Sequence, residues 1–157
     1  MRTRIDRLDL ALLDCLQRDN LQTADTLAEK VGRSPSAIAR RLRRLRATGA
    51  VAADVAVISD EAAGAPLSAV VQVQFERHAA QDIAQFRQRV CASPNVQIYL
   101  DLAGPFDVLL IVVAADMDEY NAFAEQMLER SPVRRFETTF VKKKVKATLA
   151  VPLDRPL

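Results

Sequence analysis

A single histidine, His78, and two cysteines, Cys15 and Cys91, are all that the chain offers of the common transition-metal ligands. Metal centres of that kind draw on clustered histidines and cysteines, and this set has none of the usual spacings. The cysteine density of a secreted disulfide scaffold is missing too, so both thiols read as ordinary side chains. Long apolar runs are also absent: the longest, Val108–Ala115, has eight residues against the roughly 20 needed to cross a bilayer. Met1–Arg4 is basic, but Asp6, Arg7 and Asp9 stand where a signal peptide would place its apolar segment, so a cytoplasmic protein with no membrane partner is expected. Neither G-x-G-x-x-G nor a P-loop pattern occurs, and nucleotide hydrolysis has no support. His78, beside Arg77 at the end of a strand pattern, reads as an exposed turn residue rather than a catalytic one. The acidic group Asp116, Asp118, Glu119 reads as a helix start, where negative charge complements the dipole. No catalytic residues and no cofactor are expected.

What is present is apolar and unevenly charged. Half of the 157 residues are hydrophobic, enough for one medium core or two small ones. The net charge of +2 hides an asymmetry, since residues 1–51 carry 11 Lys or Arg against 6 Asp or Glu. The rest of the chain is net acidic. Positive potential confined to one module is what nucleic-acid binding by that module requires.

The first third has the pattern of three short helices. Asp9 can cap one running to about Arg18, with Leu12, Leu13 and Leu16 inward. Thr23 can cap a second over 24–31, with Leu27 and Val31 on one face and Gly32 ending it. Ser34 supplies the next cap oxygen, Pro35 fits the first helical position, and a third helix runs to about Thr48 before Gly49. Only Gly32 and Arg33 separate the second helix from the third cap, so the two must cross sharply, as in a helix-turn-helix.

The third helix has an apolar stripe of Ile38, Leu42 and Leu45. Ser36, Arg40, Arg43 and Ala47 lie opposite with Arg44 adjacent, and Arg41 and Arg46 flank the stripe. Between Gly32 and Gly49 there are six arginines and no Asp or Glu. Solvated helices usually mix signs, because opposite charges four apart support one another. A helix of this motif meets the DNA major groove with its N-terminal half. That assigns Ser34, Ser36, Ala37, Arg40 and Arg41 to the groove and Arg43, Arg44 and Arg46 to phosphates.

Val51, Val55 and Val57 suggest a linking strand, and Gly64 and Pro66 a hinge. Beyond it, strand and helix periods alternate. A strand over 67–75 has Val71, Val73 and Phe75 on one face. A helix over 80–91 carries Ile83, Phe86 and Val90. A second strand over 96–102 would turn Val96, Ile98, Leu100 and Leu102 inward. A third, over 106–114, is apolar on both faces. A helix from Asp116 carries Tyr120, Phe123 and Met127. The last strand, 133–146, has an unsettled phase that suggests a bulge. Its basic run, Lys142–Lys146, reads as the charged guard of an edge strand, with a second nucleic-acid contact as the alternative. The order βαββαβ is ferredoxin-like, with two helices on one sheet face. Leu109, Ile111 and Val113 would face the bare side, a patch that a second copy of the chain is expected to cover.

The chain from about Arg4 to Leu153 resembles the leucine-responsive regulator/asparagine regulator (Lrp/AsnC) family of bacterial and archaeal transcription factors. The matching segments are "IDRLDLALLDCLQRD", "LAEKVGRSPSAIARRLRRLRATGAV" and "LAGPFDVLLIVVAADMDEYNAFAEQML". The resemblance implies an N-terminal helix-turn-helix, a linking strand and a ferredoxin-like module that dimerises through its sheet. It also implies assembly to tetramers or octamers and an amino-acid effector bound between dimers near the turn after the second sensor strand, here Leu102, Gly104, Pro105, Phe106 and Asp107. The family's turn carries an acidic residue where this chain has Pro105, which removes a carboxylate and a backbone N–H from any ligand contact.

The expectation is an α+β protein with three parts. Residues 1–51 form a helix-turn-helix (winged-helix-like) DNA-binding domain, residues 52–66 a linking strand and hinge, and residues 67–157 a ferredoxin-like effector-sensing and oligomerisation domain. Its partners would be double-stranded DNA, further copies of itself as a homodimer or larger assembly, and an amino acid or related metabolite. An enzyme like the siroheme decarboxylases, which resemble the same family, is the alternative, but it would need histidines around a tetrapyrrole. A sensor or assembly module without regulation is a third reading, and such a module would have no reason to keep the arginine helix.

Overall fold

The computed structural model describes residues 5–64, 66–76, 80–129 and 132–153. His78 and its proposed turn lie outside them. The chain divides into two compact units, residues 1–57 with 146–157, and residues 58–145. The division departs from the expected boundaries because the C-terminal segment folds with the first unit.

In the first unit α1 spans Arg7–Leu16, α2 Ala24–Val31 and α3 Pro35–Ala47. The cap of α1 is Asp6, not Asp9. Asp6 Oδ1 accepts the Asp9 N–H at 2.8 Å and Asp9 Oδ2 accepts the Asp6 N–H at 3.1 Å, a capping box that satisfies two otherwise orphaned donors. This starts the helix three residues earlier than Asp9 would, and Gln17 closes it. The other caps lie where the sequence places them. Thr23 accepts from Thr26, Gly32 leaves α2 at φ 63°, and Ser34 accepts the Ala37 N–H with Pro35 at the helix start. Gly32 is needed there because a Cβ is strained in the left-handed region. Leu12, Leu16, Leu27, Ala28, Ile38, Leu42 and Leu45 form the core, with Leu13, Val31 and Val51 at its edge. Burying each leucine contributes about 1.5–3 kcal/mol.

No strand forms over the described residues between Val51 and Gly64, contrary to the expected link. A strand needs a partner for its backbone groups, and neither unit supplies one; Val55 and Val57 are exposed. Ser59 to Gly64 instead makes turns, with Gly64 at φ 81°.

In the second unit a four-stranded antiparallel sheet has the order β2-β3-β1-β4, with β1 Leu67–Phe75, β2 Val96–Asp101, β3 Val108–Ala114 and β4 Val133–Phe140. Helices α4, Ala80–Cys91, and α5, Met117–Met127, cover one face. Phe86, Val90, Tyr120, Phe123 and Leu128 pack there on Ala69, Val71, Val73, Val108, Leu110 and Val112. The arrangement is the expected ferredoxin-like one. Asp116 caps α5 by accepting from Glu119. Glu119 reaches back to the Ala115 N–H and the Asn95 amide, contacts that hold its carboxyl below its usual range.

Two strand expectations change. On β2, a register shift between Val96 and Ile98 puts Tyr99, with Val96, toward the helices. Ile98, Leu100 and Leu102 are therefore exposed instead of inward. On β4, Gln74 faces Arg135 while Phe75 faces Val133, so Arg134 is the extra residue of the anticipated bulge. That strand ends at Phe140 rather than 146. The basic run Lys142–Lys146 lies beyond it, off the sheet edge, where Lys144 pairs with Asp60 at 2.8 Å.

The bare face of the sheet has two halves. Ile98 lies beside Ile111 and Leu100 beside Leu109, with Val70 across from Ile111, so this half is apolar. Gln72 faces Glu137 and Gln74 faces Arg135, and the other half is polar.

Candidate nucleic-acid interface and sensor turn

The turn Gly32–Arg33–Ser34 brings α3 out of the bundle with its buried stripe, Ile38, Leu42 and Leu45, held against Leu12 and Leu27. Ser34, Ser36, Arg40, Arg43, Arg44 and Arg46 are exposed, and Ala37 and Arg41 are half-buried. The residues expected to meet DNA thus stand on one short helix and its cap, with Ser36, Arg40, Arg43 and Arg44 away from the buried stripe and Arg41 and Arg46 beside it.

Their electrostatic surroundings separate them into two sets. Arg41 Nη1 lies 2.6 Å from Asp6 Oδ2 and 2.8 Å from Asp9 Oδ1. Arg44 Nη2 pairs with the other Asp9 oxygen. Arg46 Nε lies 2.8 Å from Asp54 Oδ2, and its Nη2 donates to Asn20 at 3.1 Å. The second set has no acidic partner among the described residues: Arg43 Nε reaches only the Ala39 carbonyl of its own helix, at 3.4 Å, and Arg33 Nη1 only the Gly32 carbonyl, at 3.1 Å. No hydrogen bond or ion pair engages the Arg40 side chain among those residues.

Four partner residues, Asp6, Asp9, Asn20 and Asp54, escaped the reading of α3 from its own sequence because each lies outside it. One signal was available. Asp9, Leu12, Leu13 and Leu16 occupy the i, i+3, i+4, i+7 positions of an inward helical face, and a carboxylate on such a face needs a cation. The Asp6 carboxyl is held below its ordinary range, first by the Asp9 backbone N–H and then by Arg41. Arg46 does the same to Asp54.

In the sensor unit the turn between β2 and β3 is closed by its own polar groups. The Leu102 N–H donates to the Asp107 carbonyl at 2.8 Å and the Asp107 N–H to Val73 at 2.9 Å. Asp107 Oδ2 accepts the Phe75 N–H at 2.7 Å. The carboxylate therefore holds the turn on β1. Phe106 is buried, with the Arg135 guanidinium 5.1 Å from its ring centroid. Leu102, Gly104 and Pro105 are exposed, and a Cβ on Gly104 would meet nothing within 4 Å. Leu102, Gly104, Pro105, Phe106 and Asp107 are therefore brought together, with the first three open and the last two built into the fold.

Comparison with known proteins places both halves. The AsnC-type helix-turn-helix domain matches residues 5–46, and the Lrp/AsnC ligand binding domain matches residues 68–151. The chain belongs to the Lrp/AsnC family. One relative is the "Uncharacterized HTH-type transcriptional regulator y4tD" of Sinorhizobium fredii, 40% identical over 151 residues, covering 96% of this chain and 89% of that protein. The DNA-binding transcriptional activator DecR of Escherichia coli K12 is 28% identical, over 96% of this chain and 99% of its own. Among solved structures, the transcriptional regulator NMB0573/L-Met complex from Neisseria meningitidis is 31% identical with a TM-score of 0.88, covering 96% of this chain and 98% of that one. An AsnC family regulator from Agrobacterium tumefaciens is 29% identical, also with a TM-score of 0.88, over 95% and 97%. The Lrp/AsnC helix-turn-helix match contains both sides of the Asp6/Asp9–Arg41/Arg44 cluster. The Lrp/AsnC ligand-domain match contains the whole 102–107 turn and extends into the C-terminal segment that folds with the first unit.

Proposed function

We propose that this chain is a sequence-specific DNA-binding transcriptional regulator whose affinity is tuned by an amino acid or related metabolite. It acts by binding and not by catalysis, as the regulator names of its relatives support. The observation that carries the reading is the outer face of α3, where Arg40 and Arg43 stand exposed with Arg33 beside the turn, free of acidic partners among the described residues.

An α-helix fits the major groove, and its N-terminal residues Ser34, Ser36, Ala37 and Arg40 are placed for base edges while Arg43 is placed for a phosphate. Arg41, Arg44 and Arg46 are already neutralised by Asp6, Asp9 and Asp54, so their primary role is to fix the helix. Two copies joined through the apolar half of the bare sheet would present two such helices, and the second half-site then binds intramolecularly. Dimers assemble further to tetramers or octamers.

The effector would meet Leu102, Gly104 and Pro105, the open part of the turn. A neighbouring family structure holding L-methionine supports an amino-acid ligand. Since Pro105 has neither a side-chain carboxylate nor an N–H, the ligand's ammonium must find another acceptor.

Fluorescence anisotropy with a duplex from the gene's own upstream region and a scrambled duplex, over a series of salt concentrations, tests the reading. Tighter binding to the upstream duplex, changed by an amino acid at fixed salt, is the expected result. Equal affinity for the two duplexes overturns sequence specificity.

A further inference from the structure

We infer that Asp6 and Asp9 limit the sequence-independent part of DNA affinity by withholding two arginines of α3 from phosphate binding. The inference rests on the reading of α3 as the DNA-facing helix and adds to it a role for acidic residues on α1.

The Asp9 side chain is fully shielded from solvent, 0% exposed, and its two oxygens each accept from a different guanidinium, one of Arg41 and one of Arg44. Asp6, 49% exposed, adds a second acceptor for Arg41. A carboxylate closed off from water is strongly penalised if its cations leave, so a phosphate competing for Arg41 or Arg44 must strand the Asp9 charge. Nevertheless both arginines remain partly open, Arg41 at 30% and Arg44 at 41%, on the helix that carries Arg40 and Arg43. Released, they could reach a polyanion.

Withholding them has a directional consequence. Phosphate contacts supply nearly all of non-specific binding and carry no sequence information, whereas base contacts discriminate. A protein that subtracts phosphate contacts therefore loses affinity for every duplex by about the same factor and keeps its preference among sequences. The pair on α1 would thus set how tightly the protein holds any duplex, and how steeply that depends on salt, without touching DNA.

The full chain carrying Asp6→Asn is titrated with the scrambled and upstream duplexes over a salt series. The expected result is tighter binding to both the scrambled and the upstream duplex, with the slope of log K against log salt steeper by up to about one because Arg41 then has Asp9 alone, and an unchanged upstream-to-scrambled ratio. Asp14→Asn makes the same charge change at the Arg18 pair of α1 and should leave the slope at the wild-type value. Adding Arg41→Gln to Asp6→Asn should return the slope to wild type. Asp9→Asn should free both arginines, and if it does not fold, the Asp6 variants carry the test. Weaker binding of Asp6→Asn to both duplexes at an unchanged slope would mean a mere structural brace, and an equal rise in Asp14→Asn would mean a net-charge effect; either overturns the inference. Failure of the wild-type chain to bind any duplex at low salt would overturn the DNA-binding reading itself, a separate outcome.

Discussion

Gln17 and Val151, 134 residues apart, exchange two hydrogen bonds: Gln17 Nε2 donates to the Val151 carbonyl at 2.8 Å, and the Val151 N–H donates to Gln17 Oε1 at 2.9 Å. A side-chain amide here stands in for a strand neighbour and ties the C-terminal segment to α1. The helix-turn-helix unit is therefore closed by chain from both ends of the sequence. A chain ending at Lys146 should fold its sheet but show faster amide exchange across α1 than the full chain. Unchanged protection there would mean that the segment is an ornament.

The core of the first unit is small, so its members are costly to lose. Leu45, fully buried among Leu12, Leu27, Ile38 and Leu42, should on truncation to Ala cost about 3 kcal/mol. Chemical denaturation followed by circular dichroism measures this. Leu21, almost wholly exposed between α1 and α2, should cost less than about 0.5 kcal/mol on the same change.

Acid should loosen the α1–α3 contact. Because the Asp6 carboxyl titrates below its ordinary value in the folded chain, its pairing contributes stability above that ordinary value and loses it as pH falls through the lowered one. The Tm difference between wild type and Asp6→Asn should be constant from about pH 5 to 7 and shrink below about pH 4. A difference unchanged down to pH 2 would assign the stabilisation to another group.

The apolar half of the bare sheet is expected to hold two copies together. Leu100 is 49% exposed and sits beside Leu109, so Leu100→Glu places a charge in that patch without disturbing the helix-facing core. Sedimentation velocity should show wild type as a dimer or larger and the variant as a monomer with unchanged circular dichroism. An unaltered assembly would send the interface elsewhere.

The particular elements differ in how far the sequence disclosed them. Helix boundaries at Thr23, Gly32, Ser34 and Gly49 were readable because caps and left-handed exits are local choices made by single residues. The phase of β2 was not, since the register shift at Val96/Ile98 turns Tyr99 inward only once β3 fixes the pairing. The stretch after Val51 has strand-like alternation but no strand beside it, and a strand is a property of two segments. Likewise the basic stripe on α3 was visible, but its division into paired and free arginines depended on Asp6, Asp9 and Asp54, residues brought near by folding. Local chemistry is written in the chain's order, while pairing across α1 and α3 is written in its packing.

The most direct test of the account compares wild type with Arg43→Ala and Arg40→Ala by anisotropy on the upstream and scrambled duplexes across a salt series. Arg43→Ala should weaken binding to both duplexes alike and flatten the salt slope by about one, whereas Arg40→Ala should cost more on the upstream duplex, by about 1–3 kcal/mol, and so reduce the preference for it. If both variants bind both duplexes as tightly as wild type and with the same slope, α3 does not read DNA through its free arginines and the account fails.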